Sequence, residues 1–200
     1  MEIKQENIIA AYNAADDNGK RIIAALFGEE AVQAAKTSDI RPVTERIKTF
    51  EDACAELGEY HPCVAAWNEY NNTTMDCESN TEAADITAYI KLRIICAALN
   101  EGWKPQFVKD EYRWYPWFNL YTQEEIDNKD DDWKQGSRQV IDTGDYETEF
   151  DGFTYSDSRH VPSYSSATVG SRLCLKSEAL ATYCGTQFTQ LWADFNLIRK

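Results

Sequence analysis

The sequence predicts an α+β fold: two long helices, about 82–101 and 177–196, pack on a small, mostly antiparallel sheet, with short helices at the N-terminus. Three stretches carry that prediction. "EAADITAYIKLRIICAALNEG" spreads apolar residues around most of a helix's girth, the pattern of a helix buried on several sides. "KSEALATYCGTQFTQLWADFNLI" repeats Leu180, Tyr183, Cys184, Phe188, Leu191, Trp192 and Phe195 at helical spacing. Between them, "EYRWYPWFNLY" concentrates aromatic strand formers.

The elements follow in order. "ENIIAAYNAADD" predicts a short helix over about 6–15, with Ile8, Ile9 and Tyr12 on one face. "DDNG" is read as a break in which Gly19 takes a positive φ. A second helix then buries Ile22, Ile23, Leu26 and Phe27 and stops at Gly28. Residues 29–43 read as a connector. "TFEDACAELG" predicts a helix with Thr49 and Asp52 as a capping box and Gly58 as the stop. A short helix fits Cys63–Tyr70, and "NNTT" onward reads as loop. In the helix at 82–101, Lys91 and Arg93 sit at the wetter edge and extend their charges outward. Gly102 stands where a terminating glycine belongs.

Pro116 has no amide donor, which makes 112–121 an edge strand or a strand broken at a bulge. One parity holds Tyr112, Trp114, Pro116 and Phe118; the other holds Arg113, Tyr115, Trp117 and Asn119. Large aromatics therefore fall on both faces. One face can cover the long helix, and the other needs a second cover or is displayed. "TQEEIDNKDDDWKQG" reads as solvated loop or a frayed turn. "RQVID", "ETEFDGFTYSD" and "VGSRLCL" are strand candidates, with "SRHVPSYSSAT" as a loop. Ser177 is the expected cap of the last helix. A chain of 200 residues fits a single domain, 1–200, with 1–28 as a helical pair read as a semi-independent appendage.

Charge is unevenly placed. The net charge is −14. Residues 51–150 hold 8 basic and 22 acidic side chains, and the remaining residues hold 12 of each. An acidic surface repels phosphate, so neither direct nucleic-acid binding nor an anionic membrane is expected. A basic protein partner is the complementary expectation. The N-terminus has no basic start followed by an apolar run, and no stretch approaches 18 apolar residues. A cytoplasmic setting follows as an expectation, with reduced thiols at Cys54, Cys63, Cys77, Cys96, Cys174 and Cys184.

Catalytic and metal chemistry find little purchase. Cys54, His61, Cys63 and Cys77 are poorly spaced for zinc. The acid run 124–132 puts Lys129 and Asp132 where a calcium loop wants an oxygen ligand and a glycine. There is no phosphate-binding glycine loop and no nucleophile elbow. His160 lies near serines, but adjacency in sequence makes no triad. No catalytic residue, metal site or cofactor is assigned. The binding candidates are Tyr115 and Trp117 on the aromatic face, and Asp130, Asp131 and Asp132 in the acid run.

Several phrases together resemble an uncharacterised family met in gut bacteria and in the phages and prophages they carry. They are "RPVTERIKTFEDACAELG" (41–58), "KLRIICAALNEGWKP" (91–105), "YRWYPWF" (112–118) and "GSRLCLKSEALATYCGTQFTQLW" (170–192), with "AYNAADDNGKRIIAALFG" nearer the start. That family has no established activity. The resemblance implies a small intracellular protein of mobile-element origin and brings no site residues with it. Three functions are therefore expected in order: a non-enzymatic interaction protein using its acidic or aromatic surface, a small-ligand or carbohydrate binder using Tyr115 and Trp117, and an enzyme. The last would need a deep pocket that joins His61 or His160 to a cysteine or carboxylate.

Overall fold

Residues 8, 11–12, 15–28, 41–74, 81–106, 108, 110–135, 139–162 and 170–200 are described by the computed structural model. Cys77, residues 163–169, the connector at 29–40 and most of the helix expected at 6–15 lie outside them. The chain divides into two compact units, Met1–Pro42 and Val43–Lys200.

In the first unit, α1 spans Asp17–Phe27. Gly19 is not a turn residue here. The Asp16 carboxylate accepts from the Gly19 amide at 2.8 Å, so the helix starts one turn earlier than its apolar pattern suggests. The expected burial of Ile22, Ile23, Leu26 and Phe27 is also corrected. Ile23 and Ala24 pack against Tyr12, while Ile22, Leu26 and Phe27 are exposed.

The second unit is built on one helix. α2 spans Val43–Arg46, α3 Phe50–Leu57, α4 Pro62–Thr73 and α5 Ala84–Leu99. The capping box of α3 forms as read: the Asp52 amide donates to Thr49 Oγ1 and the Thr49 amide to the Asp52 carboxylate. Backbone donors from Lys48 and Thr49 hold that carboxyl below its usual pKa. Gly28, Gly58 and Gly102 follow their helices with positive φ, as expected. α5 buries Leu92, Ile94, Ile95, Cys96, Ala98 and Leu99, residues that point in several directions around its axis. It can do so because α3, α4, the helix over Thr189–Asn196 and a 3-10 turn at Ser171–Leu173 all pack on it.

β1 spans Tyr112–Tyr121, β2 Val140–Asp142 and β3 Gly152–Pro162. They form an antiparallel sheet in the order β1-β3-β2. β1 is an edge strand, and its register shifts between Trp117 and Phe118. The edge-strand expectation is met; the extra residue at the shift, Ser156, belongs to β3, so the bulge lies in the partner strand and β1 runs unbroken past Pro116. β3 is longer than read and takes in 158–162, which were expected as loop. The described part of "VGSRLCL", residues 170–175, is not a strand. It forms the 3-10 turn and a single bridge from Leu175 to Trp114, with N–O distances of 2.9 and 3.0 Å. The acid-rich loop is also corrected, because local caps organise it into α6 (Gln123–Asp127) and α7 (Asp131–Gln135). Thr122 and Glu125 make a second capping box.

The expected helix 177–196 is two helices, α8 (Glu178–Gln187) and α9 (Thr189–Asn196), broken at Phe188 with φ −118° and ψ 34°. Hydroxyls compete for its carbonyls: Thr186 Oγ1 donates to Thr182 O at 2.8 Å, and Thr189 Oγ1 to Gly185 O at 2.9 Å. The break lets each half pack differently. α8 lies on β1 and β3, and α9 lies on α5. Gly185 makes the first contact, for a Cβ there would stand 2.5 Å from the Tyr155 ring and 2.7 Å from Pro116 Cβ.

Two stability changes follow. Gly185→Ala gains helix propensity of about 1 kcal/mol but overpacks a wall fixed by the Tyr155–Thr182 hydrogen bond, so it should lower unfolding stability by about 1 kcal/mol or more net. Thr49→Ala should cost about 1 kcal/mol by removing the α3 cap. Both are read from urea unfolding at constant m-value.

Candidate functional site

The acid run comes first, since the sequence singled it out. Asp130 is spent on structure: its carboxylate accepts from the Trp133 amide at 2.7 Å and caps α7. Asp131 and Asp132 are exposed in the first turn of that helix. Lys129, the base within the run, lies over the rings of Tyr121 and Trp133. It is drawn to aromatics rather than to either aspartate.

The aromatic candidates separate. Tyr115, a binding candidate on a face that needed either a cover or display, is covered: it is 6% exposed. Burial pushes its phenol up to about 12, with Cys174 adding to the shift. Trp117 is 44% exposed, and the Arg159 guanidinium lies 4.3 Å from its ring centroid. Arg159 is held in turn by Asp157 at 3.2 Å. One face of the expected stacking platform is thus already covered by a cation. Both residues line a cavity of about 390 Å³ together with Phe118, Trp192 and Phe195. The Trp192 indole N–H is buried and has no acceptor among the described residues. It is closed off from solvent, so it offers nothing to a guest in that cavity.

A larger pocket, about 700 Å³, was not anticipated. Its back wall is one stripe of α5: Arg93, Ala97 and Asn100. Leu57 closes one side at the end of α3, and Trp103, Lys104 and Pro105 follow Gly102 along another. The N-terminus of α4 contributes His61 and Cys63, and the 3-10 turn contributes Ser171 and Arg172.

Buried polar groups hold these pieces in place. Asn100, 6% exposed, donates from Nδ2 to Cys174 O and accepts at Oδ1 from Lys176 N, both at 2.9 Å. Arg113 is fully buried and donates to Ser171 Oγ at 3.0 Å. The turn that carries Arg172 is therefore tied to both α5 and β1. Burial also pushes the neighbouring Cys174 thiol up to about 11.

The electrostatics of the pocket run against the chain. Among the described residues it is lined by Arg93, Lys104 and Arg172 and by no carboxylate. Among the described residues no acid pairs with any of the three. Glu101, at the rim, is already shared between Arg46 at 2.7 Å and Lys176 at 2.8 Å. Among the described residues Arg93 Nη2 has only the weak acceptor Cys63 Sγ, at 3.6 Å. The sequence did carry a signal. An arginine in the middle of an apolar helix must reach water, an acid or a ligand.

His61 and Cys63 do meet in this pocket, which is the condition set for reading the protein as an enzyme. Their geometry serves a different purpose. His61 Nδ1 accepts from the Cys63 backbone amide at 3.3 Å, so the imidazole caps α4. That bond places the ring proton on Nε2. The basic nitrogen is thus committed to the backbone rather than to the thiol. His160, the other histidine, is packed between Tyr112 and Trp114, each with ring centroids at 4.6 Å. Among the described residues no group of histidine, cysteine and acid side chains is arranged to hold a metal, and no helix is long and apolar enough to cross a membrane.

Comparison with known proteins adds no relative: no protein-family model, no curated protein and no solved structure matches this chain.

Proposed function

We propose that the protein is a non-enzymatic binder of a small molecule, and that its ligand sits in the pocket between α3, the start of α4 and the end of α5. One observation supports this above the others. A pocket of about 700 Å³ lies within the ordinary size range for small-ligand sites, and a partly buried arginine with no acid partner among the described residues opens into it. A protein gains nothing in stability by leaving such a charge uncompensated beside an apolar wall. A bound ligand supplies what the fold leaves out.

The test is to fill the space. Ala97 is a small residue in the back wall. Ala97→Phe should abolish ligand-induced thermal stabilisation across a small-molecule library, while Trp117→Ala leaves the same hits unchanged. Hits lost with Trp117→Ala and kept with Ala97→Phe would move the site to the aromatic cavity.

A second reading keeps a basic protein partner in view, because Asp131 and Asp132 are exposed and hold no cation among the described residues. On that reading the protein captures a polyarginine peptide at low salt and releases it by about 0.5 M salt, where screening is nearly complete. The double change of Asp131→Asn and Asp132→Asn abolishes capture. Capture indifferent to salt or to these changes counts against it.

A further inference from the structure

The ligand class can be taken one step further; the step rests on the pocket reading above. We infer that the pocket takes a small organic anion: a flat apolar body that carries one carboxylate or phosphate group. Three features point there, and each is independent of the others.

The first is the sign of the lining. The chain has 34 acidic and 20 basic residues, yet among the described residues this concavity gathers Arg93, Lys104 and Arg172 without a carboxylate. Glu101, which lies between the lining residues Asn100 and Gly102, is neutralised by Arg46 and Lys176. An anion arriving there meets positive charge in a molecule that elsewhere repels it, so the pocket selects by sign as well as by shape.

The second is the donor geometry. Arg93 is half-buried, with a single weak sulfur acceptor at 3.6 Å, so most of its N–H fork remains available. A planar fork matches the paired oxygens of a carboxylate or phosphate. α4, a helix of twelve residues, begins on the same side; Pro62 has no amide and His61 takes the Cys63 amide, so the helix adds the positive end of its dipole rather than free donors. The opposing α5 C-terminus is quieted, because Cys96 O and Ala98 O accept from the Asn100 amide, Ala98 O also from the Glu101 amide, and Asn100 O from the Trp103 amide.

The third is the apolar part. Leu57, Ala97, Pro105 and the half-buried Trp103 form the rest of the wall. Such a surface gives an inorganic ion nothing, but it gives a ring a place to lie.

Isothermal titration calorimetry with benzoate, phenyl phosphate, inorganic phosphate and uncharged benzyl alcohol tests this. The expected result is that benzoate or phenyl phosphate binds, and that inorganic phosphate and benzyl alcohol bind at least about 10-fold more weakly. Arg93→Met should weaken the anion by about 10- to 100-fold, the range for losing a charge-assisted bidentate contact, and Arg93→Lys should restore part of it. Whether benzoate or phenyl phosphate wins identifies the acid group. If Arg93→Met does not fold, the exposed Arg172→Met carries the same expectation on a smaller scale. Benzyl alcohol binding as tightly as the anions, with Ala97→Phe abolishing both, would overturn the anion class and leave the pocket reading intact. Binding of the anions that Ala97→Phe does not touch would overturn both. No binding by any of the four probes overturns the anion inference, and the library screen then decides the pocket reading alone.

Discussion

The Asn100 carboxamide is the joint on which the second unit turns. It is buried at the end of α5 and makes two hydrogen bonds to one short segment, to Cys174 O and from Lys176 N. Leu175, between them, bonds in the other direction, to Trp114 of β1. Three consecutive residues thus stitch the central helix to the edge of the sheet. The next residue, Ser177, caps α8. An apolar residue in place of Asn100 would leave a buried carbonyl and a buried amide without partners, each at a cost of about 1–3 kcal/mol.

The same joint shapes the pocket. Asn100 holds the 3-10 turn from one side and Arg113 from the other, so Arg172 stands on a fixed base at the pocket mouth. Arg93 is placed by α5 itself. Two cations far apart in sequence are thus brought to one concavity by backbone tied to both α5 and β1. This preorganisation separates the pocket from the acid run. There, Asp131 and Asp132 ride on a five-residue helix whose cap, Asp130, is its own neighbour.

Much of the fold could be read from the residues, because the signals were local. The apolar girth of α5, the Thr49–Asp52 box, the glycines after α3 and α5, and Pro116 on an edge strand each depend on neighbours within a few positions. The misreadings share another cause. The apolar spacing of 177–196 runs straight through Phe188, while the break comes from hydroxyl competition at Thr186 and Thr189 and from the contact of Gly185 with Tyr155 and Pro116. Likewise, β3 extends into 158–162 because β1 lies alongside to pair with it, a reason invisible in the segment itself. The site was least legible of all. Trp117 and Tyr115 stood out by composition, yet Arg159 covers one and the core takes the other. Arg93 stood among apolar residues and was read as reaching outward; its setting depends on Trp103 and Arg172, whose approach no spacing rule announces.

The free side of β1 carries one more consequence. An exposed strand is a template on which a second copy can add its own strand, and repetition of that step makes fibrils. Here the invitation is withdrawn at three successive points. Leu175 occupies the groups at Trp114, Pro116 brings no amide, and the register shift beyond Trp117, where β3 inserts Ser156, adds local twist to the pair. A chain this rich in tryptophan and tyrosine would otherwise be prone to sheet-to-sheet growth, and β1 is built so that an intruding strand finds no unbroken ladder to join.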